Sequence, residues 1–455
     1  MVLLVFWGAR YCEAQQRILG QNESVASSSK DAKLGFELIA NKGYLPADFD
    51  QETFDLIWKS WPKELQDKAR IGSMKERRQL AFDRYGFTPR KDDPEKPLQY
   101  VIDANGNWSM NCFSCHGGSL YGSDESYPGL PNNRIALETL YEDLRKTKRI
   151  LKKPYSSMDL GSNLIPMGTS VGTSNAVIFG TSLMAFRDKH LNLKNVFVPS
   201  FVQHHDMDAP PWWHYKNKKM IYIDGFTERH HRALMPFIMV RQNDGPKFRQ
   251  FENDFKRIQK FLFSVQAPKY PYATDSKWAA RGKIIFENRC SQCHGTYGQS
   301  RDYPGNRIDL EEIQTDPVRL FALTKTYRKK YAESWLGDYG NAVTLTMPRG
   351  YVAPPLDGIW ATAPYFHNGS VPTLRGVLDP KSRATIWKRS NDQFDEKNGG
   401  LLIQELTEMP RSIDSHRRRQ YFDTRKKGKS NRGHPFGEDL SVQQQTDLIE
   451  YLKLL

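Results

Sequence analysis

Two pentapeptides constrain this chain more than any other feature: Cys112-Phe113-Ser114-Cys115-His116 and Cys290-Ser291-Gln292-Cys293-His294. Each is a C-x-x-C-H, the attachment signature of c-type haem. Thiols at i and i+3 reach one porphyrin through two thioethers, and the next residue puts an imidazole under the iron. A single match could be a thioredoxin-like motif followed by a chance histidine. Two matches consume four of the five cysteines and predict two covalently bound haems. The competing arrangement, a structural zinc held by four thiolates, leaves both histidines without a purpose. The cofactor-binding set is therefore Cys112, Cys115, His116, Cys290, Cys293 and His294, with His116 and His294 as proximal iron ligands.

A chain of 455 residues has room for two or three domains and a large core. Its 38% hydrophobic and 26% charged composition reads as globular rather than disordered or membrane-spanning. The formal charge of +14 could steer an acidic redox partner. No basic stripe interleaved with aromatics points to nucleic acid. The apolar run Met1–Ala9, with small-residue spacing at Cys12-Glu13-Ala14, resembles a secretory signal lacking its basic start, and is too short to span a bilayer. Tyr11 fits poorly before a lipoprotein cleavage site, so no lipid anchor is expected. Covalent haem attachment in bacteria occurs outside the cytoplasmic membrane, so the motifs themselves argue for a periplasmic or secreted protein.

Along the chain, residues 1–14 form this signal-like segment and residues 15–34, polar and Ser-rich, a flexible lead-in. Residues 35–265 make an N-terminal haem domain with inserted loops, and residues 270–455 a C-terminal cytochrome c domain. Helical stripes follow Gly35, Tyr100–Trp108 reads as strand and turn, and residues 135–153 and 247–264 as helices. Gly117-Gly118 let backbone approach a porphyrin closely. The Gly- and Thr-rich stretch 161–186 is ordered loop and then helix, with no phosphate-cradle pattern. Trp278–Arg289 is an amphipathic helix leading into Cys290, and its Gly282 suits a crossing with the closing helix 441–455, for which Ser441 is an N-cap. The expected fold is mainly α: two cytochrome c-like haem domains with long ordered loops and few short strands.

The block Tyr351-Val-Ala-Pro-Pro-Leu-Asp-Gly-Ile-Trp-Ala-Thr-Ala-Pro-Tyr-Phe-His-Asn-Gly-Ser-Val-Pro-Thr-Leu374 resembles the signature of the bacterial diheme cytochrome c peroxidase superfamily. The similarity is closer to its rubber-oxygenase-like branch, through Phe422-Asp-Thr424 and Gly428-Lys-Ser-Asn-Arg-Gly-His-Pro-Phe-Gly437. That resemblance implies a division of labour between an electron-relay haem and one with an open position for peroxide or dioxygen. The peroxidases carry a Met ligand fourteen residues beyond the P-Y-x-H histidine; here that position is Lys381. His434 leads as the second iron's other ligand, with Met347 and His367 as alternatives. A His pair favours a low potential, and Met a higher one. After His116 the next histidine is His190, which leaves the first haem without a nearby sixth ligand. A calcium ion between the haems is a family property to which no acidic cluster here can be tied.

Trp212, Trp213 and Phe226 are the candidate catalytic surroundings, either walling the open face or filling the space between haems; plain core is the competing reading. His230 or His231 could supply a distal ligand, and Glu228 or His230 an acid/base for peroxide. The expected function is an exported diheme oxidoreductase, peroxidase-like or dioxygenase-like. Its C-terminal haem would relay electrons from a small redox protein or other donor, and its N-terminal haem would act on peroxide, dioxygen or a hydrophobic substrate. The alternative is a diheme electron carrier without catalysis.

Overall fold

In the computed structural model, which describes residues 29–194 and 203–455, helix Lys30–Asn41 (α1) starts the chain. The signal-like segment and residues 15–28 lie outside the described residues. α1 takes the remainder of the stretch read as flexible, because Ser29 accepts from the Ala32 N–H as its N-cap. Phe49–Asp50 (β1), Tyr100–Ile102 (β2) and Asn107–Met110 (β3) then form an antiparallel sheet in the order β1-β3-β2. β3 delivers the chain to the first motif, whose single helical turn spans Phe113–His116 (α2). Leu137–Leu151 (α3) and the aromatic residues Phe49, Phe54, Trp61, Tyr85 and Trp108 build a core beside it. Arg84 and Asp143 pair within that core at 2.8 Å.

Helix Gly245–Ser264 (α4) closes the first half, with Asp244 as N-cap and Pro246 in its first turn. It crosses α1 at Gly35, where a Cβ would lie 2.3 Å from the Arg257 carbonyl oxygen. The second half repeats this device. Ser276–Arg289 (α5) runs into the turn Ser291–His294 (α6). The closing helix Val442–Leu452 crosses α5 at Gly282, where a Cβ would meet the Asp447 oxygen at 1.9 Å. Ser441 and Gln444 form its capping box.

Between these helices lie Arg307–Asp309 (β4) paired with Gly350–Val352 (β5), the short helix Leu374–Leu378 (α7), and the sheet of Ile386–Asp395 (β6), Gly400–Leu406 (β7) and Tyr421–Asp423 (β8), ordered β7-β6-β8. With Val442–Leu452 taken as α8, the described residues are 43% helical and 13% strand, with no closed barrel. The β6–β7 hairpin reaches the other half: the Asp392 carbonyl accepts from Gly122 and its carboxylate pairs with Arg134 at 2.7 Å. Among the described residues no helix is long and apolar enough to cross a membrane.

Candidate functional site

Each Cys pair is built into its turn from the backbone up. Before α2, the Asn111 side chain accepts from the Phe113 N–H at 2.9 Å and donates to the Leu98 carbonyl. Asn132 donates to the carbonyls of Gly86 and Ser114. The buried Phe113 ring packs between Phe36 of α1 and Trp212, at 5.5 Å from each. Gly117 and Gly118 face protein rather than open space: a Cβ at Gly118 would meet the Pro131 carbonyl oxygen at 2.5 Å. Their role here is close packing of the chain on itself.

All four motif cysteines are unpaired and half-buried. Burial pushes the Cys112 thiol up to about 12 and the Cys290 thiol to about 11. Thiol–disulfide chemistry needs the opposite shift, so these are poor redox dithiols. Among the described residues, no group of three or more His, Cys, Asp and Glu side chains is arranged to hold a metal ion. The two pairs therefore do not converge on one zinc.

Each motif histidine has a proline carbonyl beside its ring, and only one closes the hydrogen bond. His294 Nδ1 lies 2.8 Å from the Pro354 carbonyl oxygen. A carbonyl only accepts, so Nδ1 carries the proton, and burial disfavours the charged ring. Nε2 is left with a free lone pair, as a metal-binding imidazole requires. At His116, burial lowers the ring to about 4 against the opposing pull of the Pro210 carbonyl, while Nδ1 closes no hydrogen bond of ordinary geometry. Pro210 and Pro354 each stand in an Ala-Pro-Pro: Ala209-Pro210-Pro211 and Ala353-Pro354-Pro355. Sequence reasoning did not use this pair of repeats, the one signal that could have found both acceptors.

What faces each histidine differs. The His434 ring stands 6.3 Å from that of His294, centre to centre. Two metal–imidazole bonds of about 2 Å, each extended by the roughly 1.2 Å from ring nitrogen to ring centre, come to about 6.4 Å when collinear. The ring separation is therefore of the size that two imidazoles sharing one iron would need. His434 reaches this place in a left-handed conformation (φ +54°), after Gly433 at φ +83°. Its N–H donates to the Ile313 carbonyl at 2.7 Å. Met347 is 68% exposed. His367 packs on the Tyr351 ring at 4.6 Å, and its carbonyl accepts from the Asp208 N–H at 2.9 Å.

Against His116 lies the Trp212 indole, stacked at 4.8 Å and 28°. Backbone bonds tie the two together, Gly129 N–H to the His116 carbonyl and Trp212 N–H to the Gly129 carbonyl. Trp213 is fully buried and points elsewhere: its indole N–H donates to the Asp357 carbonyl at 2.6 Å, and His214 Nε2 donates to the same oxygen at 2.9 Å. Phe226 packs on Tyr331 at 4.7 Å and lines an apolar cavity of about 50 Å³ with Tyr222, Met184 and Met239. The three aromatics share one core but not one wall. His190 lies exposed. His231 bonds Glu252, His230 stacks on Tyr339, and Glu228 accepts from the Val343 N–H, so none of these joins His116. Asp208 is a site residue that the sequence did not nominate. Burial holds its carboxyl well above the usual range, and it neighbours the Cys115 thiol.

Residues 350–388 match the model of a family described as RoxA-like, cytochrome c-like. The segment is RoxA-like. It contains Pro354, Asp357 and His367, and it implies a c-type haem with iron. Two uncharacterised proteins of Sinorhizobium fredii are also similar. One, y4iM, is 30% identical over 284 residues, covering 54% of this chain and 64% of its own. The other, y4iJ, is 28% identical over 260 residues, covering 42% of this chain and 41% of its own. The chain thus spans less than two thirds of either relative's length. The RoxA-like segment supports a relationship to RoxA-like c-type cytochromes.

Proposed function

We propose that the chain is an exported diheme c-type cytochrome of the peroxidase superfamily, with a relaying C-terminal centre and a reactive N-terminal one. The observation that carries this is the inequality of the two histidines. His294 is met by His434 at 6.3 Å, whereas the ring against His116 among the described residues is Trp212. When bound, haem would supply one-electron exchange and activation of peroxide or dioxygen. Cys112, Cys115 and His116 would hold one haem, and Cys290, Cys293, His294 and His434 the other.

The chain's own residues do the rest. Pro354 fixes the His294 tautomer, and Trp212 holds the His116 ring in one orientation. Phe113, Trp212 and Phe261 exclude water on the motif's apolar side. Asp208, whose carboxyl burial pushes upward, lies beside Cys115 within the first motif's surroundings and is the acid/base candidate in place of Glu228 or His230.

Spectra of the oxidised and reduced holoprotein, with and without carbon monoxide and cyanide, test the assignment. One haem should bind these ligands and the other should not; two inert haems would instead mark a diheme electron carrier. His434→Ala should leave both haems attached and convert the C-terminal one to high spin, while Met347→Leu should change nothing. Turnover of hydrogen peroxide with a reduced donor, set beside dioxygen consumption with a polyisoprene, separates the two catalytic chemistries.

A further inference from the structure

We infer that Arg383 is the positioning residue of the C-terminal haem, clamping His434 onto the axis of His294 and setting an unpaired positive charge beside it. The inference rests on the reading of these two histidines as an axial pair. It starts from where the guanidinium's hydrogen bonds go. Nη1 donates to the carbonyls of Asn431 and Gly433, the latter at 2.8 Å, so it grips the loop that ends in His434. Nε donates to the Gly376 carbonyl at 2.6 Å and Nη2 to that of Val377 at 3.3 Å, both in α7. One side chain therefore ties the His434 loop to a helix through four carbonyls. Val377 is also the carbonyl that acts on the His434 ring, whose Nδ1 is buried and closes no ordinary hydrogen bond. The guanidinium lies over Phe366 at 5.0 Å, and Phe366 packs 6.1 Å from His434.

The need for a clamp is visible in the backbone. Gly433 is wedged where a Cβ would lie 2.4 Å from the backbone of Ile313, Gln314 and Thr315, and His434 adopts a left-handed conformation that non-glycine residues seldom hold unaided. The charge is the second half of the inference. Among the described residues Arg383 has no ion-pair partner. Asp379 and Glu438 act on it only at a distance, and burial lowers it to about 10, so it stays charged at neutral pH. A fixed cation near an iron favours the reduced form and raises the potential above that of a bare His pair.

Potentiometric titration and spin-state spectra of the full-length holoprotein test this with Arg383→Gln and Arg383→Lys. Arg383→Gln should keep both haems, lower the C-terminal midpoint potential, and yield a high-spin fraction that binds cyanide about tenfold faster or more. Arg383→Lys keeps the charge without the fork, so its potential should stay nearer the parent's while the high-spin fraction persists. If Arg383→Gln does not accumulate, Arg383→Lys alone decides, and a parental spectrum there overturns the clamp. Parental potential and spin state in Arg383→Gln, with His434→Ala altered, overturn the role of Arg383 alone. A parental spectrum in His434→Ala overturns the axial pair and this inference with it.

Discussion

The Trp213 indole ends on the Asp357 carbonyl, three residues past the Pro354 carbonyl that fixes His294. Its neighbour Trp212 stacks on His116. Two hydrogen bonds and a few covalent links thus join the surroundings of the two motif histidines. Trp213→Phe keeps most of the ring but removes the N–H, leaving the His214 donor on that oxygen. A loss of about 1 kcal/mol in stability is expected, together with slower electron exchange between the two haems, read by rapid reduction of one centre and the lag at the other. Unchanged exchange would remove the indole from the path. The sequence singled out Trp213 by its setting in an aromatic run, and His434 through the resemblance to the rubber-oxygenase-like branch. It did not yield Pro354 or Pro210, because they act through carbonyls that any residue carries. Nor did it yield Arg383, whose partners are backbone atoms scattered from Gly376 to Gly433.

The two glycine crossings are the elements most exposed to a single methyl group. At Gly282 the added carbon would lie 1.9 Å from the Asp447 oxygen of α8, and at Gly35 it would lie 2.3 Å from that of Arg257 in α4. Both obstacles are helix backbone, which cannot swing aside. Gly282→Ala should therefore cost about 1–3 kcal/mol despite alanine's better helix propensity, seen as a lower denaturant midpoint. Gly35→Ala should do the same, and a rise in stability in either would show that the helices can part. Gly282 was legible because it precedes Cys290 by eight positions on a patterned helix, as was the closing helix with its Ser441 cap. Gly35 was not, since its partner helix lies two hundred residues on. The β6–β7 hairpin also escaped notice. Only Ile386, Trp387 and Phe394 of β6 are buried, and the register shifts between Arg389 and Phe394, so the alternation that marks a strand is broken. Its turn did carry a signal, Asn398-Gly399, with Gly399 at φ +68°.

Over the whole molecule, buried histidines outside the motifs contribute to the response to acid. His205, His214 and His230 are 1%, 4% and 4% exposed, and burial lowers them from 6.5 to about 4, about 3 and about 4. The fold holds them neutral where the unfolded chain protonates them, so unfolding takes up protons. Their contribution is fully present above pH 6.5 and is lost as pH falls toward 4, at up to about 1.4 kcal/mol per pH unit for each group. Asp48 works in the other direction. Burial raises it from 3.8 to about 7, although Tyr141 and Lys148 oppose the shift. The fold keeps its proton where the unfolded chain has released it, so its contribution is present at low pH and is lost as pH rises through 7. From about pH 4 to 6.5 three groups outweigh one, and from 6.5 to 7 Asp48 acts alone; stability from these four groups should peak near pH 6.5. Denaturant unfolding of the holoprotein at half-unit steps from pH 5 to 8 checks the sum, and two variants check its parts with opposite signs. His214→Gln should make the acid limb shallower by one proton's worth, and Asp48→Asn should make it steeper by the same amount. Parallel limbs in all three proteins would mean that neither burial shift operates.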